Sequence, residues 1–518
     1  MGFQGFRRDN RRIYYLGCLA LLGVVVVLVF TRFGPGASGD SVYYIMGGQN
    51  IADGNGFSRT SGGGEIKPIT GFPPFFSLVM SIFALIGTNM FVGGRGLNIL
   101  LFAANIFLTG FIIYRYSRSI WPALLGSTLV LSSDTLIENH GWIMSEPLYV
   151  FLMLLAIYTL AKYPEAQKRS FWTLSIIFVS LASLTRFVGV ALTVAGVFAI
   201  LVLGKKKLIR RLVDSILYGV LSLIPLVLWM MRNSSIAGTT MNREWIFHPI
   251  RPELAIQYLA EISSWFAPGQ LPLPEIVRGL ISISIVLILP AMLLYREIKK
   301  GFLDREKQSE SLEMLPWILS AYVLSYLAII VINSLFLDAA TTPAAPPRYL
   351  LPVYIACVIL FTSVIYRLIS WNSNSISLKY IAAAYGVLLI MINSSLSFNI
   401  LRYPMSKIGY TGLKQQWPDV VARLKDVDSS AAIISNNPEM VYVFTERPAY
   451  MRPINFDVYK LTNREDYSEQ LEWAQSLLDS GGVFVQLRDP NPHEREAIED
   501  LDIEVRYTFP TAWIYVAR

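Results

Sequence analysis

Long apolar stretches separated by short polar segments dominate the first 400 positions of the chain. A helix that crosses a bilayer needs about 20 mostly apolar residues, so the pattern predicts about eleven membrane-spanning helices. They lie near residues 14–32, 96–114, 121–134, 147–161, 171–187, 188–203, 213–231, 277–295, 315–337, 350–369 and 380–399. We therefore expect a polytopic membrane helical bundle that is mainly α in class.

The pattern changes at about residue 404. Strand-like runs at 431–435, Val483–Leu487 and 503–507 alternate with amphipathic helical patterns at 417–427 and 464–478. Such alternation is typical of a small α/β domain. The sequence therefore predicts a transmembrane domain over 1–403 and an extracytoplasmic α/β domain over 404–518.

Composition supports the membrane prediction. Hydrophobic residues make up 53% of the chain and charged residues only 16%, whereas a soluble protein has about 25% charged residues. This excludes a soluble enzyme, a disordered protein and a fibrous protein. Cys18 and Cys357, the two cysteines, both lie in apolar runs, which excludes a disulfide framework.

The charges are unevenly distributed. Residues 401–518 contain 13 basic and 18 acidic residues, a net charge of −5, while residues 1–400 have a net charge of +12. Basic residues of membrane proteins concentrate in cytoplasmic loops, so the arginines near the N-terminus predict that this end is cytoplasmic. No basic stretch with interleaved aromatic residues suggests nucleic-acid binding.

Residues 72–88 are apolar enough to cross the membrane. If they did, every later loop would change sides, and the basic segment 205–207 would face outward, against the positive-inside bias. The sequence therefore predicts a juxtamembrane or re-entrant helix here, within the first outer loop (residues 34–95).

Asp40 follows the first predicted span and so lies at the membrane interface, where a lipid-linked substrate presents its head group. A carboxylate at this place can take a proton from an acceptor hydroxyl. Asp40 also precedes a helical pattern, and from spacing alone an ordinary helix N-cap is the favoured explanation.

Short motifs recur in order along the first 400 residues. They are D-S-V-Y-Y from Asp40, G-N-G-F-S from Gly54, S-E-P-L from Ser145, T-R-F-V-G from Thr185 and P-R-Y-L-L-P from Pro347. Together they resemble the GT-C glycosyltransferases, in particular the branch of protein O-mannosyltransferases and of the aminoarabinose transferases that modify lipid A.

The resemblance implies an enzyme of a prokaryotic plasma (inner) membrane that moves a sugar from a polyprenyl-phosphate-linked donor to an acceptor hydroxyl outside the cytoplasm. The acceptor would be a glycan, a lipid or a protein. Asp40 would be the general base, and direct displacement would invert the anomeric centre. Family members often carry two adjacent acids here, whereas Ser41 follows Asp40 in this chain, so the need for a divalent metal stays open.

The leaving group of such a reaction is a lipid phosphate, whose negative charge calls for a cation. Arg348, Arg186 and Lys67 are the basic candidates at the outer ends of the predicted helices or in the first outer loop. Snorkelling of long basic side chains to the membrane interface is the alternative explanation.

Four further residues complete the predicted substrate-binding set. They are Glu146, Tyr349, Asp53 and Tyr43. Glu146 would bind sugar hydroxyls, although an acid followed by proline is also typical of a helix start.

A transporter or flippase of a lipid or lipid-linked sugar is the alternative function. Such proteins place ionisable groups near the bilayer midplane. Here the conspicuous acids lie in predicted outer loops or at outer helix ends, namely Asp40, Asp53, Glu138, Glu146 and Asp338. A third hypothesis is a non-catalytic assembly subunit in which the C-terminal domain is the working part.

Overall fold

The computed structural model describes residues 2–166, 168–203, 207–243, 245–301, 314–337, 346–371, 376–457 and 462–518. Asp338, Lys205 and Lys206 lie outside these ranges. The described part consists of a large helical bundle followed by a small α/β domain.

The bundle comprises sixteen α-helices among the described residues. They are α1 (Gly2–Phe30), α2 (Gly39–Ala52), α3 (Phe75–Leu85), α4 (Met90–Ser117), α5 (Ile120–Leu131), α6 (Asp134–Gly141), α7 (Glu146–Ala166), α8 (Arg169–Thr185), α9 (Val190–Leu203), α10 (Leu208–Ala237), α11 (Pro252–Phe266), α12 (Glu275–Ile283), α13 (Leu289–Gly301), α14 (Leu315–Phe336), α15 (Pro346–Trp371) and α16 (Ile376–Arg402). A short hairpin of β1 (Ser58–Thr60) and β2 (Ile66–Pro68) follows α2.

Eight helices within the described ranges are long and apolar enough to cross a membrane, or nine if α5 and α6, bent by 58°, form one broken span. The prediction of an integral membrane helical bundle is therefore confirmed. The count of about eleven spans is not confirmed, because α8 and the segment Phe187–Val202 are shorter than a typical span.

Burial divides the long helices into two groups. The apolar windows of α7 and α15 are 72% buried, whereas those of α10 and α16 are only 22% and 17% buried. Helices that are apolar all round pack in the centre of a membrane protein. The exposed apolar faces of α10 and α16 therefore point to lipid.

Helix α3, which has 11 residues, lies within the predicted juxtamembrane segment 72–88. Its length of about 16 Å is well short of a hydrocarbon core of about 30 Å. The ring of Phe72, just before α3, packs on Tyr43 and Tyr44 of α2, and Ser77 donates a hydrogen bond to the carbonyl oxygen of Tyr44. These contacts support the prediction that residues 72–88 do not cross the membrane.

The C-terminal domain contains five helices and seven strands among its described residues. They are α17 (Gly409–Gln416), α18 (Pro418–Asp426), β3 (Ile433–Ser435), α19 (Pro438–Thr445), β4 (Tyr450–Met451), β5 (Phe456–Asp457), β6 (Thr462–Asn463), α20 (Tyr467–Asp479), β7 (Val483–Leu487), α21 (Pro492–Glu499), β8 (Ile503–Phe509) and β9 (Ala512–Ala517). The prediction of a small α/β fold is confirmed.

Five strands form one sheet in the order β4-β3-β7-β9-β8, in which β4, β3 and β7 are parallel and β9 is antiparallel to both neighbours. Alternate side chains of a strand face opposite sides. Ile433 and Val485 accordingly pack with α18 and α19, while Ile434 and Phe484 pack with α20 on the other face.

This domain docks on the bundle through main-chain hydrogen bonds. The N–H of Tyr410 donates to the carbonyl oxygen of Ala37 (2.9 Å), and the N–H of Ala37 donates to that of Ile408 (3.3 Å). Trp142 adds a bond from its indole N–H to the carbonyl oxygen of Lys407 (2.7 Å). The domain therefore lies at the end of the bundle where α2, the helix that carries Asp40, begins.

Candidate active site

Asp40 lies in the first turn of α2 and is not its N-cap. The N-cap is Ser38, whose N–H donates to the hydroxyl oxygen of Ser41 three residues later (3.0 Å). Because the capping position is already occupied, the N-cap explanation of Asp40 is wrong. A first-turn carboxylate still gains from the helix dipole, and its side chain is 32% exposed.

Asp40 pairs with the arginine that the sequence put forward for phosphate binding. Oδ2 of Asp40 lies 2.9 Å from Nη1 of Arg348, which belongs to the first turn of α15. The Arg348 side chain is 28% exposed. An acid and a base that are 308 positions apart are thus brought together at the end of the bundle.

A second acid–base pair lies directly behind the first. Oε1 of Glu146, at the start of α7, is 2.7 Å from Nη1 of Arg186 at the end of α8, and 3.9 Å from Nε of Arg348. Glu146 is almost completely buried. Asp40, Arg348, Glu146 and Arg186 therefore form a chain of alternating charge, which we call the four-charge cluster.

The cluster explains how these charges are tolerated in a membrane protein. A buried charge is costly unless an opposite charge compensates it, and here two arginines stand against two carboxylates. Each member comes from a different helix end, so the cluster exists only when α2, α7, α8 and α15 are packed together.

Tyr349, which the sequence puts forward for substrate binding, contacts both arginines of the cluster. Its ring lies below both guanidinium groups, at 5.0 Å from Arg348 and 5.9 Å from Arg186, and its hydroxyl accepts a hydrogen bond from Nη2 of Arg348 (3.2 Å). Aromatic faces attract cations at such distances. Tyr326 fixes the backbone here by donating to the carbonyl oxygen of Tyr349 (2.7 Å).

Two residues of the site were not put forward from the sequence. The hydroxyls of Tyr44 and Ser145 are 3.0 Å apart, and Nη1 of Arg186 donates to the Ser145 hydroxyl (3.2 Å). Burial, with the nearby charge of Asp40, raises the pKa of the Tyr44 phenol above its ordinary value. Both residues belong to the quoted motifs, and that was their only sequence signal.

Tyr43 lies next to the cluster, one helical turn after Asp40 on α2. The guanidinium carbon of Arg59 lies 5.1 Å from the centre of the Tyr43 ring, and the ring of Phe72 packs against it with the two ring centres 5.3 Å apart. It therefore lies beside the first turn of α2, which contains Asp40.

Asp53 and Lys67 lie apart from the cluster. Asp53 is the C-cap of α2, about 20 Å along the helix from Asp40, and it accepts hydrogen bonds from Gln49 (3.0 and 3.2 Å). Lys67 lies on β2 and pairs with Glu65 at 3.0 Å, with both side chains exposed. Neither contacts the four charges within the described part of the chain.

The described residues contain no group of three or more His, Cys, Asp or Glu side chains placed to hold a metal ion. The two carboxylates of the cluster each face an arginine. The side chains around Asp40 therefore offer no metal-ligand set, and a divalent metal stays a hypothesis.

Comparison with known proteins finds similarity in part of the sequence and in the fold. The family model for dolichyl-phosphate-mannose-protein mannosyltransferases matches residues 42–234. No curated protein sequence matches the chain.

Solved structures show the fold over almost the whole chain. ArnT from Cupriavidus metallidurans in the apo state is similar with a TM-score of 0.60 and 14% identity, covering 97% of both chains. The same protein bound to undecaprenyl phosphate gives a TM-score of 0.58 and 13% identity, again covering 97% of both. The archaeal oligosaccharyltransferase AglB from Archaeoglobus fulgidus, in complex with an inhibitory peptide and a dolichol-phosphate, gives 0.51 and 12%, covering 92% of this chain and 69% of that one.

The chain therefore has the GT-C glycosyltransferase fold, and its resemblance to the mannosyltransferase and ArnT branch is confirmed.

Proposed function

We propose that the protein transfers a sugar from a polyprenyl-phosphate-linked donor to an acceptor hydroxyl at the extracytoplasmic face of a prokaryotic inner membrane. The observation that carries the proposal is the pairing of a partly exposed acid, Asp40, with Arg348 at the end of the bundle. The similarity to an ArnT structure that contains undecaprenyl phosphate supports the choice of donor. The acceptor would be a glycan, a lipid or a protein.

In this reaction Asp40 takes the proton of the acceptor hydroxyl, and the acceptor oxygen attacks the anomeric carbon. The bond from that carbon to the phosphate oxygen breaks, and its electron pair leaves with the lipid phosphate. Arg348 and Arg186 stabilise the charge that develops on the phosphate. A single displacement of this kind inverts the anomeric centre.

Burial distinguishes the roles of the two acids. Asp40 is 32% exposed, so an acceptor can reach it, whereas Glu146 is 1% exposed and held by Arg186. We assign Glu146 to positioning the two arginines and not to contact with sugar hydroxyls. We assign no part in the transfer to Lys67 and Asp53.

The transporter or flippase alternative is less well supported by this arrangement. A transport pathway places ionisable groups near the bilayer midplane. Glu146 is the first residue of α7, and Arg186 follows directly after the last residue of α8. Charges at helix ends favour chemistry at one face of the bundle.

The substitution Asp40→Asn tests the proposed function. Loss of a general base lowers the rate by about 10²–10⁴-fold, while the isosteric amide preserves the first turn of α2. Each purified variant would be added to isolated membranes that contain the acceptors. The transfer of labelled sugar from a polyprenyl-phosphate donor to these acceptors would then be measured. Asp419→Asn, in the first turn of α18, serves as the control and should retain full activity. Activity of Asp40→Asn within threefold of the unsubstituted protein would contradict the proposal.

A further inference from the structure

The three nitrogen atoms of the Arg348 guanidinium all have a nearby partner within the protein. Nη1 lies 2.9 Å from Asp40, Nη2 donates to the hydroxyl of Tyr349, and Nε lies 3.9 Å from Glu146. A phosphate that approaches Nη1 of Arg348 therefore competes with the Asp40 carboxylate for that nitrogen. Asp40, in turn, has one carboxylate oxygen, Oδ2, engaged by Arg348.

Asp40 is the partner that an incoming phosphate can displace. Glu146 is 1% exposed, and Arg186 holds it at 2.7 Å. Tyr349 is the next residue in the chain, and its backbone is fixed by Tyr326. Asp40, by contrast, has 32% of its side chain exposed and is paired with Arg348 through Oδ2.

We propose that the donor phosphate exchanges with Asp40 on Arg348, so that binding of the donor is what releases the base. This rests on the proposed function and adds an order of events to it. The anionic phosphate takes the place of the carboxylate beside Nη1, and the freed carboxylate turns to the acceptor hydroxyl. No covalent bond changes in this step, because one anion replaces another on the same cation.

Glu146 makes the exchange possible. Its charge stays beside both arginines throughout, so Arg348 keeps its place while Asp40 leaves. The cluster holds two positive and two negative charges before the donor arrives, which is the low-energy state for a poorly solvated site. Without a donor the base stays paired, and the acceptor has no free carboxylate to meet.

The exchange predicts that Asp40→Asn has opposite effects on transfer and on binding. Transfer is lost, but undecaprenyl phosphate binds more tightly, since no carboxylate competes for Arg348. We expect at least a fivefold lower Kd than for the unsubstituted protein. Undecaprenyl phosphate is added to purified full-length protein in detergent, and bound lipid is measured by native mass spectrometry.

A matched control separates exchange from simple loss of negative charge. Glu439 is an acid in the first turn of α19, and its Cγ lies 3.9 Å from the position that a Cβ would take at Gly39. Glu439→Gln therefore removes a charge close to Asp40 without freeing Arg348. We expect its Kd for undecaprenyl phosphate to stay within twofold of the unsubstituted value, whereas equal tightening in both variants would overturn the exchange.

A structure with bound undecaprenyl phosphate provides the second measurement. We expect the separation of Asp40 and Arg348 to grow from 2.9 Å to beyond ion-pair distance, with the phosphate beside Arg348. An intact pair beside a bound lipid would overturn the exchange while the proposed function stands. Failure of the unsubstituted protein to bind undecaprenyl phosphate at all would overturn both.

Discussion

The pair of Glu146 and Arg186 is the part of the site whose loss should cost the fold most. The two side chains are 1% and 17% exposed and 2.7 Å apart. Glu146→Gln leaves the guanidinium without its nearest counter-charge, and breaking a buried pair from one side costs about 3–5 kcal/mol. We expect about 3 kcal/mol, because Arg186 keeps its hydrogen bond to Ser145. Chemical unfolding of the purified protein in detergent measures the difference.

Glu138→Gln is the matched control for this prediction. Glu138 pairs with Lys407 at 3.5 Å, but the two side chains are 32% and 48% exposed. Pairs in contact with solvent contribute about 0–1 kcal/mol. An effect of Glu138→Gln as large as that of Glu146→Gln would show that burial of the charges does not set the cost.

Single residues of the site were predictable only where a motif drew attention to them. The sequence put forward Asp40 and Arg348, but it gave no sign that they pair, because contact across 308 positions depends on how the helices pack. Tyr44 and Ser145 were overlooked since a tyrosine and a serine in a motif have no distinctive chemistry. Lys67 was included because a lysine in an outer loop has the same pattern whether it faces a site or, as here, a neighbouring glutamate.

At the scale of elements, the turn between β1 and β2 is another place, besides Ala37, where the C-terminal domain touches the first outer loop. The ring of Tyr450, on β4, lies against the backbone of Gly62 so closely that a Cβ there would enter the ring. Gly63 adopts a φ of +64° and faces the Tyr450 hydroxyl. Glycine is needed at both places because the tyrosine occupies the space that side chains would take.

Gly62→Ala should therefore loosen the docking of the C-terminal domain. Overpacking of this kind costs about 1–3 kcal/mol, and thermal unfolding in detergent would show it as a lower Tm. Tyr450→Ala removes the ring that causes the clash, so adding Gly62→Ala to it should cost little more. If the two substitutions instead lower Tm additively, Gly62→Ala destabilises the protein by a route that does not involve Tyr450, and the prediction is wrong.

Elements were more predictable than residues where their pattern was long and regular. The strand Val483–Leu487 has the predicted bounds because its apolar run is buried on both faces of the sheet. The strand predicted over 503–507 extends to Phe509 and returns as β9, which the sequence reading missed because it did not recognise the tight turn at 510–511. The boundary at residue 404 stays a prediction.

For the whole molecule, contacts at helix ends bear on how many helices cross the membrane. Arg186, after α8, touches Glu146 at the start of α7, so α8 returns to the level from which α7 departs. Arg232, near the end of α10, donates hydrogen bonds to the carbonyl oxygens of Ile69 and Phe57 in the first outer loop. If α7 and α10 cross, then α8 and α9 also run between the two faces despite their short length, which supports the predicted eleven spans.

An odd number of spans places the two ends of the chain on opposite sides of the membrane. The C-terminal domain lies on the Asp40 side, because Tyr410 pairs with Ala37. Basic residues at 168–169 predict that the opposite side is cytoplasmic. We therefore expect Ser476→Cys to react with a membrane-impermeant thiol reagent in intact cells, and Ser170→Cys to react only after permeabilisation.

Both positions are exposed, so accessibility within the protein does not limit either reaction. A background with both native cysteines replaced by alanine removes other thiols. Labelling of both positions from outside would show that α7 and α8 do not form the transmembrane hairpin inferred from the four-charge cluster.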